Sequence, residues 1–335
     1  MEDISFIQKQ IFDLDRLFLT ELIKCKDDCF IDNLERILNL FLKQVNNFHT
    51  KKEVAETVYD APAVVRLLKK ICKEVISIST SYNEGDLLNM YGIVNRCFKR
   101  TYNNIAHSTF FPVSSVTQNE YWYRIRKDCE KDEVKRKDLF HVPFEIRNKV
   151  GTYRYSVPGY PALYLGHSLY VSWLEMDCPA SFHYSKFKID SAEINVFDFR
   201  FFPSINSVKQ GVNYLLSYPY KLACSLPATK KSNFVPEYLF PQLMIHAILR
   251  QKKSSNVNGL LYSSTKAFSI LNENNCRDYD NLVLPAINMK REGYCDALQE
   301  MISLSIPQRI EVNKLLKKDA FDNKDKEHHH KFRKI

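Results

Sequence analysis

The sequence changes its hydrophobic period near residue 115, and this change constrains the fold more than any other feature. Upstream, apolar side chains recur every three or four positions, as at Leu34, Leu38 and Leu42. Downstream, residues 121–126 (YWYRIR) alternate in the manner of a strand. A helix repeats its faces about every 3.6 residues and a strand every two. The sequence therefore predicts a helical domain followed by a domain that contains strands.

The region before the change predicts four or five helices. Its apolar stripes run over residues 12–22, 34–42, 64–75 and 87–102. Asp32 or Asn33 is the candidate N-cap of the second helix, since short oxygen-bearing side chains accept from the first free amides. Pro112 and the polar run 114–119 then interrupt the pattern. We therefore expect a helical domain over residues 1–115.

The region after the change mixes short strands with helices. Strand patterns occupy residues 163–165, 194–199, 259–262 and 281–284. One helix is expected after Ser168, its candidate N-cap, and an amphipathic helix over residues 237–250. The fold class is therefore α+β, with a mixed domain over residues 116–318 and a charged tail over residues 319–335.

Composition argues against several classes of nucleotide-binding protein. The chain has 8 glycines among 335 residues and contains neither a G-x-G-x-x-G nor a P-loop pattern. This argues against a Rossmann dehydrogenase and a P-loop nucleotidase. The nine cysteines lack the spacing of a zinc site and are expected to be reduced thiols. No metal is expected, because His328 to His330 lie in the tail without other candidate ligands.

Charge and targeting signals predict a soluble cytoplasmic protein. The formal net charge of +9 would suit an anionic ligand, but part of it lies in the tail. Nucleic acid is therefore not an expected partner. The first residues lack the basic segment and apolar run of a signal peptide, and no apolar stretch is long enough to span a bilayer.

Four separated motifs occur in a fixed order in the second region. They are residues 123–125 (YRI), the turn 153–159 (YRYSVPG), the strand 163–166 (LYLG) with its following helix, and residues 258–264 (NGLLYSS). In order and inner spacing these motifs resemble the RES family, which is named for an arginine, a glutamate and a serine. The resemblance extends over roughly residues 121–285, and residues 139–143 (LFHVP) resemble the opening segment of longer members.

The resemblance implies a core like that of ADP-ribosylating toxins. Two residues depart from the pattern of short members: Tyr153 replaces a glycine, and Ser156 replaces the usual asparagine. We therefore expect the arginine turn to differ in shape from that of the short proteins.

The resemblance also implies an enzyme that breaks the nicotinamide–ribose bond of NAD⁺. Nicotinamide in NAD⁺ is cationic and leaves as a neutral base, so a general acid is dispensable, unlike in ordinary glycosidases. The reaction instead needs a carboxylate that stabilises positive charge on the ribose. Glu175 is the candidate for this role, and Arg124 and Ser264 are the other candidate catalytic residues.

The candidate NAD⁺-binding residues are Arg124, Arg154, Tyr155, Tyr164 and Ser264. The two guanidinium groups suit the pyrophosphate, since arginine binds phosphate oxygens bidentately. The Tyr164 ring suits stacking on the nicotinamide or ribose. The Ser264 hydroxyl suits a hydrogen bond to the ribose or to the catalytic carboxylate.

Structural alternatives stand beside these assignments. Arg154 and Glu175 would form a structural ion pair, since a carboxylate in a mostly buried helix needs a partner. Tyr164 would belong to the core, and Ser263 would replace Ser264 as the family serine.

The biological role and the reaction type stay open. Hydrolysis, phosphorolysis and ADP-ribose transfer to a macromolecule all fit the expected site. RES proteins commonly act as toxins that deplete NAD⁺, so the resemblance implies a growth-arresting toxin or a defence effector. The expected partner is an antitoxin or immunity protein, which the N-terminal domain would replace or recruit.

A second hypothesis comes from the end of the helical domain. Arg100 and His107 have the R-x₆-H form, similar to the motif of HEPN ribonucleases, and long RES proteins carry HEPN-like regions. The chain would then bind or cleave RNA and its RES domain would be regulatory. The simpler alternative is that His107 caps or packs a helix end. A third hypothesis is a non-catalytic interaction protein.

Overall fold

The computed structural model describes residues 2–25, 29–49, 61–103, 111–128, 133–228, 234–250, 257–312 and 333–334. In chain order the helices are α1 Glu2–Ile23, α2 Phe30–His49, α3 Ala61–Asn83, α4 Leu87–Asn103, α5 Leu169–Glu175, α6 Val208–Ser225, α7 Leu239–Arg250 and α8 Asp296–Met301. The strands are β1 Val113–Thr117, β2 Tyr121–Lys127, β3 Ala162–Gly166, β4 Ser181–Ile189, β5 Glu193–Phe199, β6 Val257–Ser263, β7 Asp280–Pro285, β8 Ile302–Leu304 and β9 Gln308–Glu311. The fold class is α+β, as predicted.

The chain forms two compact units. The first contains Met1–Pro112 and Phe201–Leu243, and the second contains Val113–Arg200 and Met244–Ile335. The first boundary lies close to the predicted residue 115. The segment 201–243 groups with the N-terminal helices, whereas the sequence analysis placed it inside the domain 116–318.

Helices α1 to α4 follow the predicted apolar stripes, whereas α6 of the same unit was not predicted, and the predicted cap of α2 is wrong. Helix α2 begins at Phe30, so Asp32 lies in its first turn. The Asn33 amide donates to the Cys29 carbonyl at 3.1 Å, and Asn33 is therefore already within the helical hydrogen-bond pattern.

A buried ion pair joins α1 to α6 within the first unit. Asp15 and Lys221 have side chains that are 0% and 1% exposed, and Lys221 Nζ donates to Asp15 Oδ1 at 2.6 Å. The Tyr218 hydroxyl and the Phe202 amide donate to the same carboxylate at 2.8 and 2.7 Å. Buried charges are tolerated only when paired and hydrogen-bonded. This cluster supplies both conditions, and its residues were not predicted from the sequence.

The second unit is built on one nine-stranded sheet with the order β1-β5-β6-β7-β3-β2-β4-β8, and β9 also pairs with β4. The pair β5–β6 is parallel, and the other pairs are antiparallel. The predicted strands β2, β3, β5, β6 and β7 are confirmed. Strands β1, β4, β8 and β9 were not predicted.

The two faces of this sheet carry separate apolar clusters. Trp122, Leu163 and Leu282 belong to the larger cluster. Ile125 and Tyr184 belong to the smaller one. Residues of β2 alternate between the clusters, which is the two-residue period seen in the sequence. The candidate site lies along the central strands β2, β3, β7 and β6.

Several sequence expectations concern residues outside those described. His107 and the histidines of the tail lie outside them, and of Arg100 only the backbone, within α4, is described. The ribonuclease hypothesis therefore stays a prediction. Among the described helices, none is both long enough and apolar enough to cross a bilayer. Within the same residues no disulfide joins the cysteines.

Candidate active site

Helix α5 carries Glu175 at its C-terminal end, and both ends of this short helix are fixed. At the start, Ser168 Oγ accepts from the Val171 amide at 3.0 Å, which confirms the predicted N-cap. At the end, Lys266 Nζ donates to the carbonyls of Leu174 and Glu175 at 2.9 and 2.8 Å. A cation that binds the last carbonyls stabilises a helix end. The backbone of the candidate catalytic residue is therefore held by a side chain that follows β6.

Gly166 allows α5 to pack directly on β3. A Cβ atom at this position would meet Ser172 Oγ at 2.4 Å, Val171 Cγ1 at 2.7 Å and the Ser172 amide nitrogen at 3.1 Å. These distances are shorter than van der Waals contact, so only glycine fits without movement. Gly166 is also the register partner of Asn281 on β7. The strand that packs against α5 is therefore paired with the strand that carries Asn281.

Glu175 is anchored by an amide and not by an arginine. Asn281 Nδ2 donates to Glu175 Oε1 at 2.8 Å. Among the described residues, no hydrogen bond or ion pair reaches Oε2, and the side chain is half-buried. The structural alternative, an ion pair between Arg154 and Glu175, is not among the described ion pairs, and the described anchor of the carboxylate is a neutral amide.

Tyr262 on β6 lies within electrostatic range of four of the predicted side chains. The pKa of its phenol is raised well above the usual value, first by burial and then by the negative charge of Glu175. The phenols of Tyr164 and Tyr155 raise this pKa further, and the guanidinium of Arg154 lowers it. Four predicted residues therefore lie within electrostatic range of one hydroxyl group. Tyr262 belongs to the motif 258–264 but was not predicted as a site residue.

The signal that could have identified Tyr262 is strand alternation. It faces Asn281 across the β6–β7 pair, and Asn281 faces Gly166 across the β7–β3 pair. Opposite residues of an antiparallel pair lie on the same face. The motif strands alone, once paired, would have placed Tyr262 and Asn281 beside the start of α5.

The arginine turn is organised by tyrosines. The Tyr155 ring lies 4.3 Å from the Tyr262 ring between centroids, at an interplanar angle of 38°. The Ser156 hydroxyl shares a hydrogen bond of 2.6 Å with the Tyr164 hydroxyl. Gly159 has φ of +77°, a conformation that favours glycine. Ser156 thus fixes the phenol of Tyr164 and joins the turn to β3.

Arg124 reaches this cluster through Tyr164. Strands β2 and β3 are registered at one pair, Tyr123 with Gly166, and Arg124 is the next residue along β2. Its Nη1 donates to the Tyr164 carbonyl at 3.3 Å. Burial lowers the pKa of its guanidinium to about 10, so the group is still cationic at neutral pH. No described carboxylate lies within ion-pair distance of it. A half-buried cation whose described hydrogen-bond partner is one carbonyl oxygen is suited to an anion.

Ser264 is the candidate least connected to the other residues. Its side chain is 0% exposed, and its hydroxyl finds no hydrogen-bond partner among the described residues. It does not contact the carboxylate of Glu175, which Asn281 holds instead. Ser263 Oγ donates to Asp280 Oδ1 at 3.5 Å. The buried hydroxyl of Ser264 is therefore available for a ligand only if the surrounding segment moves.

A buried ion-pair network fixes the strand that carries Asn281. Arg200 donates to Asp198 Oδ2 at 2.7 Å and to Asp280 Oδ2 at 3.1 Å. Burial raises the pKa of Asp280 to about 7, against the stabilising charge of Arg200. Asp280, which precedes Asn281 in sequence, therefore binds Arg200 and does not belong to the residues around Glu175.

The described residues contain no group of three or more histidine, cysteine, aspartate or glutamate side chains that could hold a metal ion. Separately, the residues around Tyr262 offer a carboxylate, phenols and a guanidinium group. A carboxylate can stabilise positive charge, and a guanidinium can bind negative charge.

Comparison with known proteins found one relative and no family. No model of a known protein family matches the chain, and no solved structure matches it. The chain is 28% identical over 221 residues to a protein of Bacillus subtilis (strain 168) named "Putative toxin YopC". The similarity covers 61% of this chain and 49% of the relative. The chain therefore spans about half the length of a relative that is named as a toxin.

Proposed function

We propose that the chain is an NAD⁺-consuming enzyme of RES type that breaks the bond between nicotinamide and ribose. The observation that carries this proposal is the cluster around Tyr262. It combines a carboxylate that has no cationic partner among the described residues with three phenols and a nearby guanidinium. The carboxylate and the guanidinium each correspond to a need of the reaction.

The first need is stabilisation of positive charge. The C1′–N bond breaks with its electron pair going to nicotinamide, which leaves neutral, and positive charge develops on the ribose. Glu175 Oε1 is fixed by Asn281, whereas Oε2 has no partner among the described residues. A preorganised carboxylate of this kind stabilises the cationic transition state more than it stabilises the bound substrate.

The second need is a binding site for the pyrophosphate. Arg124 is a half-buried cation whose described partner is one carbonyl oxygen. Arg154 lies within electrostatic range of Tyr262, on the turn that Tyr155 packs against that residue. Two guanidinium groups on neighbouring elements suit a doubly charged diphosphate.

The third need is an acceptor for the ribose cation. Water would give ADP-ribose and a proton, inorganic phosphate would give the 1-phosphate of ADP-ribose, and a macromolecular side chain would become ADP-ribosylated. In all three cases nicotinamide is released, so its release is the common product.

The similarity to a protein named as a toxin supports a toxin-like role. We propose that the chain arrests growth by consuming NAD⁺, with an antitoxin or immunity protein as its expected partner. A defence effector would use the same reaction as such a toxin, but a different signal would activate it.

Incubation of purified protein with NAD⁺, with and without phosphate and cell lysate, tests the reaction. We expect nicotinamide release in at least one condition, and the co-product identifies the acceptor as water, phosphate or a macromolecule. An absence of nicotinamide under all of these conditions would overturn the proposed function.

A further inference from the structure

Among the described residues, Asn281 makes the one hydrogen bond to the carboxylate of Glu175. Its Nδ2 lies 2.8 Å from Glu175 Oε1, and its side chain is 4% exposed. It stands on the central strand β7, between register partners on β6 and β3, so its backbone is fixed on both sides. A side chain buried in this way has few rotamers and holds its partner in one geometry.

The Asn281 amide is uncharged, and this affects the field that the Glu175 carboxylate exerts on a bound substrate. A lysine or arginine at the same distance would anchor the carboxylate but cancel much of the field that it exerts on a developing cation. Lys266, a basic residue at the end of α5, binds the carbonyls of that helix end. It also binds Asp177 Oδ1 at 2.7 Å, and it does not bind the Glu175 carboxylate. The backbone of Glu175 is thus fixed by a cation and its side chain by an amide.

We propose that Asn281 is a positioning residue, which fixes Glu175 by one oxygen without neutralising it and so leaves the other oxygen for the ribose. The inference rests on the proposed function, because it concerns the same carboxylate. It adds a residue that lies outside the arginine, glutamate and serine of the motifs. Asn281 itself touches no substrate in this account and acts through Glu175.

The alternative is that Asn281 serves folding alone, by satisfying polar atoms at the junction of α5 and β7. The two accounts differ in what a carboxylate at this position would do. Asn281→Asp keeps the shape of the side chain but places a second carboxylate beside Glu175, and two adjacent carboxyl groups share a proton. A structural role predicts a change in stability, whereas a positioning role predicts a change in the pH dependence of turnover.

The test compares wild type, Asn281→Asp and Asn281→Ala in nicotinamide release, measured as kcat and KM from pH 5 to 9. Asn195→Asp is the matched control, since Asn195 lies on β5 in the same unit and accepts from Ser115 Oγ at 3.0 Å. We expect kcat of Asn281→Asp at pH 7 to fall about 100-fold, the effect of misplacing a catalytic group by about 1 Å, while KM changes little. The acidic limb of its pH–rate profile should move to higher pH by more than about one unit.

The outcomes separate the inference from the proposed function. If wild type releases nicotinamide and Asn281→Asp keeps both the wild-type kcat and the wild-type pH profile, the inference alone is overturned. If kcat of both Asn281 variants falls only in proportion to the folded fraction seen by circular dichroism, the residue is structural and the inference is again overturned. If wild type releases no nicotinamide, the proposed function fails and the inference fails with it.

Discussion

Replacement of Gly166 by alanine should disturb the site through the packing of α5. The added Cβ would lie 2.4 Å from Ser172 Oγ and 2.7 Å from Val171 Cγ1. Ordinary contact between such atoms needs roughly 3.5 Å, so the helix must retreat from β3 by about 1 Å. The Ser172 amide nitrogen at 3.1 Å belongs to the backbone and cannot rotate away. Glu175, at the other end of the same helix, would move with it.

Two effects follow, and both can be measured. Overpacking of this kind costs about 1–3 kcal/mol in the free energy of unfolding. A shift of about 1 Å in a catalytic group costs about 100-fold in rate. Urea denaturation measures the first effect, and nicotinamide release measures the second.

Gly92→Ala is the matched control for this substitution. Gly92 lies inside α4, where the nearest atom to an added Cβ is the flexible Arg96 Nη1 at 3.6 Å. Alanine should stabilise that helix by about 0.5–1 kcal/mol and leave turnover unchanged. A Gly166→Ala variant with wild-type stability and wild-type kcat would refute the reasoning that close packing of α5 places Glu175.

Three further predictions concern Arg124, His141 and the ion pair of Asp15 with Lys221. Arg124→Gln should weaken NAD⁺ binding about 10- to 100-fold by calorimetry, which is the loss expected for one charge-assisted hydrogen bond. Arg126→Gln is the control on the same strand and should bind normally, because the charge of Arg126 is paired with a carboxylate. Equal losses of affinity in the two variants would contradict the assignment of Arg124 to the pyrophosphate. His141 is 1% exposed, and burial lowers its pKa from 6.5 to about 4. Because the unfolded chain then binds the proton more readily, the free energy of unfolding should fall by about 2 kcal/mol from pH 7 to pH 5; a His141→Gln variant with the same pH dependence would contradict this cause. Asp15→Asn leaves the buried ammonium of Lys221 without its counter-ion, so it should destabilise the protein by about 3–5 kcal/mol in thermal unfolding, and a loss below about 1 kcal/mol would contradict the role of the pair.

The elements that could be predicted are those whose sequence carries a regular period or a specific end signal. The stripes of α1 to α4 have the helical period, and β2 alternates because its two faces meet separate apolar clusters. Ser168 was recognised as an N-cap because it precedes an apolar helix. Strands β8 and β9 are three and four residues long, which is too short to show a period.

The motifs indicated candidate site residues but not their contacts. Arg154, Tyr155, Tyr164 and Glu175 lie within electrostatic range of the Tyr262 phenol, and their role in a site stays a prediction. The partner of Glu175 was not identified, because Asn281 is 106 positions away in sequence and becomes its neighbour only through strand pairing. The strand register, which the motifs do not contain, therefore determines which residue contacts Glu175.

The rate of nicotinamide release from NAD⁺ by wild type and by Glu175→Gln tests whether the Glu175 carboxylate stabilises the ribose cation. Glu193→Gln serves as the control, since Glu193 is an exposed residue of β5 in the same unit. Loss of one preorganised electrostatic group typically costs about 100- to 1000-fold in kcat, so we expect Glu175→Gln to be slowed by that factor while it remains folded. Release by Glu175→Gln at the wild-type rate would contradict the claim that this carboxylate stabilises the ribose cation.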